Sequence, residues 1–390
     1  MFKKIINSTL FKLIAAVVLG LILGPYANSE VMNVVVTVKH LFGQLIMFFV
    51  PLIILAFISS SIAKMGKVAS KLIGISLSLA YLSSIGAAFM AMALGYGIIP
   101  KLSIMAATEA VNQVPPLIFE LNIPPVMGVM TALTLSIMIG LSAIWSNSTT
   151  VINLLGEFQK MVLLLINRVL IPILPIFIAA NFAILSYEGA VTNQLPVFIN
   201  VMALVLIAHF VWLLILYTFA SIFTRKNGWE VVKYYAPPYF TAVGTMSSAA
   251  TLPVSLKAAH KSKVLSGKSV DFAIPIFSNI HLCGSILTEV FFVMTVSQIL
   301  YGTLPSPATM ALFIMLLGIF AIGAPGVPGG TVIASLGIVI SILGFDEAAT
   351  ALLLTIFALQ DSFGTACNVV GDGALTMIID KFNETPLHKD

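Results

Sequence analysis

Long stretches without a single Asp, Glu, Lys or Arg set the pattern of the chain. Residues 13–29, 40–63, 72–100, 121–156, 169–187, 189–224, 234–256 and 290–345 contain none. Each reaches or exceeds the roughly 17–25 apolar residues that a helix uses to cross a bilayer. The longest windows must fold back on themselves. Short basic segments punctuate them: 64–71 with three lysines, 225–233 with an arginine and two lysines, and 257–268 with four lysines. The other connections carry Glu30, Glu109, Glu120, Glu188, Asp346 and Glu347, with Lys101 the one basic exception. The positive-inside rule puts the basic set in the cytoplasm. With the amino terminus inside, the pattern predicts helical spans near 9–25, 36–63, 69–100, 121–145, 157–186 and 196–224, which returns Arg225 to the cytoplasm. Lys3, Lys4 and Lys12 ahead of the first apolar run resemble a signal peptide. No small-residue cleavage site follows and further spans come at once, so an uncleaved first helix is predicted.

The last third departs from this alternation. Residues 229–257 leave one basic segment, run apolar and return to another, so both ends belong on the same side. The middle of that stretch, 244–253, reads Gly-Thr-Met-Ser-Ser-Ala-Ala-Thr-Leu-Pro, small and polar where a span would be rich in Leu. Residues 308–343 repeat the arrangement from the outer side around 323–331, which holds two prolines and four glycines. Non-helical backbone at membrane depth is tolerated only against protein or a water-filled cavity. A pair of interrupted apolar segments in corresponding positions of two repeats is a pointer to a transporter site. Two re-entrant hairpins are therefore predicted, in preference to two kinked structural helices.

Composition makes the membrane assignment firm. Apolar residues are 59% of the 390 and charged residues 9%, with mean hydropathy +1.08. A soluble domain carries about 25% charge, and a chain this poor in it cannot cover a water-facing surface. The net charge of +4 reflects topology, because no basic patch is interleaved with aromatics; no nucleic-acid partner is implied. Cys283 and Cys367 are two lone cysteines in apolar runs and predict no disulfide framework.

Candidate chemistry lies in three acids inside the apolar carboxyl-terminal spans: Glu289, Asp361 and Asp372. A carboxylate in a bilayer costs several kcal/mol on common estimates and so faces a bundle interior and binds something. Asp361 and Asp372 are three helical turns apart and share a face with Thr365 and Asn368. That stripe offers carboxylate, hydroxyl, amide and carboxylate over ~16 Å, suited to an ammonium group and a hard cation. Pairing with an intramembrane Lys or Arg is the competing reading, but none occurs between Lys268 and Lys381. His281 stands eight residues before Glu289, about two turns away on a continuous helix, and is either a hydrogen-bonded core residue or a second proton carrier. No recognised ligand spacing joins it to Cys283, which argues against a metal.

The run 247–253 (Ser-Ser-Ala-Ala-Thr-Leu-Pro), the turn 326–329 (Gly-Val-Pro-Gly) and the spacing Asp361-x-x-x-Thr365-x-x-Asn368-x-x-x-Asp372 resemble the dicarboxylate/amino acid:cation symporter family, the glutamate-transporter fold. The resemblance covers the chain in element order and is most specific in the last ~150 residues; inverted repeats of this type are known among secondary transporters. It implies an all-α membrane protein of eight spans and two re-entrant hairpins, assembled as a homotrimer, with a mobile transport part sliding against a scaffold. On that basis residues 1–68 are scaffold helices 1 and 2, and 69–120 are the third helix, of the transport part, with an outer loop. Residues 121–224 are scaffold helices 4 and 5 followed by helix 6 of the transport part, and 225–390 form the transport core.

The resemblance also assigns roles. Asp361 matches the aspartate that holds the substrate's amino group, Asn368 and Thr365 the amide and hydroxyl near its carboxylate, and Ser248 a hairpin serine that contacts substrate. Val327 and Gly329 belong to the gate turn. Asp372, with Asn368 beside it, matches a sodium ligand, and Tyr81 and Ser84 stand where a second sodium site has a tyrosine and a threonine. Departures accompany these matches. Gly364 stands in place of the arginine that clamps a side-chain carboxylate, and Met246 replaces a hairpin arginine, so neither can make a bidentate clamp. The seventh-span motif Asn-Met-Asp-Gly-Thr reads His-Leu-Cys-Gly-Ser at 281–285, which removes a sodium-binding carboxylate at Cys283. Glu289 matches a proton-accepting glutamate.

The expected function is a symporter of a small, neutral amino acid driven by Na+ and/or H+, with no other cofactor, in a bacterial inner membrane with both termini cytoplasmic. The alternatives are a dicarboxylate or acidic amino acid carrier and a channel-like or sensory member with weakened coupling. A membrane enzyme is disfavoured, because no nucleophile–base pair or metal constellation appears beyond His281.

Overall fold

The protein is described here by a computed structural model covering residues 9–67, 71–102, 113–189, 191–324 and 328–384. Every regular element among these residues is helical. In chain order they are α1 (Thr9–Tyr26), α2 (Ser29–Lys67), α3 (Lys71–Ile98), α4 (Val129–Trp145), α5 (Thr149–Leu165), α6 (Ile171–Tyr187) and α7 (Val191–Thr224). These are followed by α8 (Trp229–Val232), α9 (Ala236–Thr245), α10 (Ser248–Ala259), α11 (Gly267–Ile280), α12 (Cys283–Tyr301), α13 (Pro307–Gly323), α14 (Gly330–Leu343) and α15 (Glu347–Glu384). By length and apolar composition, Ser29–Ser60, Leu72–Lys101, Thr149–Tyr187, Val197–Thr224, Gly267–Tyr301 and Glu347–Asn383 can cross a membrane, while Phe11–Tyr26 and Thr131–Trp145 are apolar but shorter.

Boundaries differ from the sequence pattern where local chemistry overrides hydropathy. The second helix starts at Ser29 rather than near 36, because the Asn28 side-chain carbonyl accepts the Val31 N–H at 2.9 Å and caps its first turn. The fourth starts at Val129 rather than 121: Pro124 and Pro125 push the residues before them out of the helical region. In the fifth span a π-turn at Ile166–Leu170 joins α5 to α6.

Both interrupted segments form helical hairpins. Arms α9 and α10 pack on each other across two residues, with Met246 left-handed at φ 52° and Ser247 accepting the Ala250 N–H. Arms α13 and α14 pack likewise, Ser306 capping the first and Gly329 opening the second at φ +71°. Gly suits that position because the left-handed region carries no Cβ penalty there.

Packing sorts the helices. α1, α2, α4, α5 and α6 contact one another, while α3, α7 and the first hairpin gather on α11, α12 and α15; the second hairpin touches both groups, α2 and α4 as well as α3, α11, α12 and α15. Burial follows: the Gly267–Tyr301 and Glu347–Asn383 windows are each 89% buried, against 33% for Leu72–Lys101 and Val197–Thr224. All three intramembrane acids of the sequence pattern thus lie on the sheathed helices. The outer helices show large apolar side chains, Leu19, Leu214 and Ile222 among them, as a lipid-facing surface requires.

Candidate functional site

The seventh span is broken, which its hydropathy conceals. α11 ends at Ile280, His281 is extended (φ −103°, ψ 110°), and α12 begins at Cys283. His281 and Glu289 therefore do not lie two turns apart on one helix. The first backbone N–H groups of α12 have no partners within the helix, and Asn368 of α15 supplies them. Its side-chain oxygen accepts the Gly284 N–H at 2.7 Å and the Ser285 N–H at 3.3 Å, while its amide donates to the Ser285 hydroxyl at 3.0 Å. Asn368 is buried, and it caps a helix start that lies 84 residues earlier in the sequence.

Asp361 does the same for the second hairpin. Its Oδ2 accepts the Gly329 N–H at 2.7 Å, at the start of α14, where a carboxylate also faces the positive end of the helix dipole. Thr365 is buried on the same helix, and Ser248 is buried as the first residue of α10. Val327 lies outside the described residues. Gly364 faces backbone rather than open space: a Cβ there would stand 3.2 Å from Ser285 Cα and 3.3 Å from Ser285 N. An arginine introduced at 364 would therefore push on the start of α12.

Asp372 has a base after all. The His281 Nδ1–H donates to its Oδ1 at 2.9 Å, with both side chains no more than 1% exposed. The partner of this acid is an imidazole, which the distribution of Lys and Arg does not reveal. The other ring nitrogen, Nε2, lies 2.9 Å from the Ser83 hydroxyl of α3. Ser83 is thus the residue of α3 that reaches this cluster. Tyr81 instead donates to the Met315 carbonyl of α13 at 3.2 Å, and the Ser84 hydroxyl is buried without a partner among the described residues. Glu289 accepts from Ser335 of α14 through Oε1, while its Oε2 is buried and without a partner among the described residues.

Two further groups escape the sequence pattern. His209 of α7 places Nε2 3.1 Å from the Gly284 carbonyl and 2.9 Å from the Thr288 hydroxyl, so a second imidazole braces the helix break. Its signal was available, an ionisable side chain in a window otherwise free of charge. At one end of α15, buried Asp380 pairs with Lys226 at 2.7 Å and accepts from Ser266 N–H and Oγ. Among the described residues no three His, Cys, Asp or Glu side chains gather as a metal site, and both cysteines are buried and free.

Two helix starts therefore meet one polar stripe of α15, that of α14 through Asp361 and that of α12 through Asn368, while the first hairpin packs on α15 beside it, Ala242 clustering with Ala366 and Val369. Residues 10–382 match the family model of the sodium:dicarboxylate symporter family. The chain is 28% identical over 168 residues to a putative sodium-dependent excitatory amino acid transporter of Caenorhabditis elegans, covering 43% of this chain and 33% of that one. It is 25% identical over 210 residues to excitatory amino acid transporter 1 of Homo sapiens, covering 54% and 38%. Over 264 residues it is 25% identical to excitatory amino acid transporter 3 of Bos taurus, covering 67% and 49%. The chain thus spans between a third and a half of the length of these curated relatives.

Proposed function

The chain belongs to the sodium:dicarboxylate symporter family, and from that premise we propose that it carries a small, neutral amino acid across the membrane together with Na+ and/or H+. The observation that carries this reading is the meeting of the second hairpin's tip and a broken helix on the Asp361–Asp372 stripe. Such a site offers an ammonium group the Asp361 carboxylate and offers a substrate carboxylate the N–H groups of helix starts and the Asn368 amide. To bind, the substrate takes over donors and acceptors that now satisfy one another, Gly329 N–H on Asp361 and the α12 amides on Asn368.

Neutrality rests on what is absent from the stripe. No Lys or Arg occurs between 268 and 381, and Gly364 leaves no room for one beside Ser285. A side-chain carboxylate would enter with no clamp. The name of the relatives, excitatory amino acid transporter, favours an acidic substrate as the second reading.

The remaining parts follow from the same proposal. Eight spans and two hairpins sit in a cell membrane, with both termini cytoplasmic. Helices α1, α2 and α4–α6 form a scaffold through which three copies associate, and the rest moves as the carrier. Ser248, Thr365 and Gly329 line the substrate position, and Glu289 carries the proton. Uptake into proteoliposomes tests the transporter reading: accumulation of labelled alanine or serine above equilibrium under an imposed Na+ or H+ gradient is expected. Equilibration without accumulation would show a channel instead.

A further inference from the structure

The family implies a sodium ion on the Asp372 carboxylate, and the geometry of this chain puts something else there. We propose that the His281 imidazole permanently occupies the coordination position of Asp372, so that this carboxylate serves a built-in side chain and takes no sodium from solution. The proposal rests on the transporter reading only for what the position would otherwise hold.

Four observations carry it. The imidazole bridges the Asp372 carboxylate and the Ser83 hydroxyl, both at 2.9 Å. These are an anionic and a neutral oxygen, the ligand types a hard cation uses. Both members of the His281–Asp372 pair are closed off from solvent, and a carboxylate so enclosed demands a fixed partner. The backbone is cut to admit the ring. A Cβ on Gly371 would come within 2.9 Å of His281 Cε1, and Phe277 meets the ring edge-on at 6.2 Å. Finally, the extended conformation of His281 at the break between α11 and α12 is what turns its side chain toward α15 rather than along the helix. Next to Asp372 in the chain, Gly373 leaves room for the rings of Tyr217 and Tyr235. Cys283, two residues on, supplies a thiol in place of the carboxylate that the family pattern would add. The site has thus exchanged an acid for a thiol and gained a base.

The test reads ion binding, not transport, so it stands even if the substrate assignment fails. Purified protein is melted across a NaCl series at constant ionic strength, with choline chloride as the balancing salt. Asp372→Asn is expected to leave the sodium response of the melting temperature as it is in the native protein. His281→Asn, which frees the carboxylate and retains a hydrogen-bonding amide, is expected to add a saturable sodium-dependent rise that the native protein lacks, as ligand linkage requires. A tenfold or greater loss of apparent sodium affinity in Asp372→Asn would overturn the proposal. So would a His281→Asn protein whose sodium response equals the native one. Because the two variants are read separately, failure of one to fold leaves the other to decide.

Discussion

Replacing Asp361 by Asn separates two roles of one carboxylate. Its Oδ2 accepts the Gly329 N–H at 2.7 Å, and Asp361 is 4% exposed. Asn keeps an oxygen at that position, so the second hairpin retains its contact. The loss is the difference between a charged and a neutral hydrogen bond, about 1 kcal/mol, too small to unfold the protein. Bound substrate is another matter. Its ammonium group would lose its counter-charge in a poorly solvated site. Truncating one partner of a buried hydrogen-bonded charge pair costs about 2–5 kcal/mol. That corresponds to roughly 30-fold to several thousand-fold in affinity at about 1.4 kcal/mol per decade. Calorimetric titration of the detergent-purified variant with alanine or serine measures the affinity, and its melting curve measures the fold. Near-native affinity in a well-folded Asp361→Asn protein would refute the assignment, since the ammonium would then be held elsewhere.

Other expectations concern cargo, coupling and the frame. Alanine or serine should outcompete aspartate and glutamate for binding by tenfold or more; tighter aspartate binding would decide for the acidic substrate suggested by the relatives' name. Uptake should depend on pH, and Glu289→Gln, which keeps an oxygen for Ser335, should remove that dependence. An unchanged pH profile in the variant would exclude Glu289 as the proton carrier. Lys226→Met should lower thermal stability, because it strands buried Asp380. Its two bonds from Ser266 place the loss near the low end of the range for broken buried pairs, about 3 kcal/mol. A melting temperature equal to that of the native protein would mean that Ser266 alone suffices.

Much of the architecture is legible from charge alone, and the reasons are physical. A span cannot hold unpaired charge, so the charge-free windows mark helices, and Pro and Gly at 325–330 and the small polar run at 244–253 mark the hairpins. Spacing likewise puts Asp361, Thr365, Asn368 and Asp372 on one face, as a 3.6-residue turn requires. What spacing cannot reveal is where each finds its partner, because those partners sit on α14, α12 and the 281–282 break, far away in sequence. The break itself has no Pro; the sequence Ile-His-Leu-Cys-Gly reads as a continuous span. It is held open by contacts from Asn368, His209, Ser83 and Asp372, none of them local. Ser83 and Ser84 are indistinguishable in composition, and a single residue's turn about the axis of α3 decides which one reaches His281.

The sheathing of α11, α12 and α15 also bears on how the chain enters its membrane. Of the six helical segments long enough to cross among the described residues, Gly267–Tyr301 and Glu347–Asn383 are among the least apolar and by far the most enclosed. A nascent segment carrying Asp361, Asn368, Asp372 and Asp380 meets lipid on unfavourable terms if it arrives alone, since each polar group needs a partner in the hydrocarbon. Those partners come from earlier in synthesis: Lys226, Ser266, His281 and the amides of 284 and 285. Insertion of the final helix is therefore a templated event, in which segments already in the bilayer offer it a polar lining. Glycosylation mapping should find the isolated 347–384 segment poorly inserted and the same segment fully inserted when 197–343 precede it. Efficient insertion of the isolated segment would show that it needs no such template.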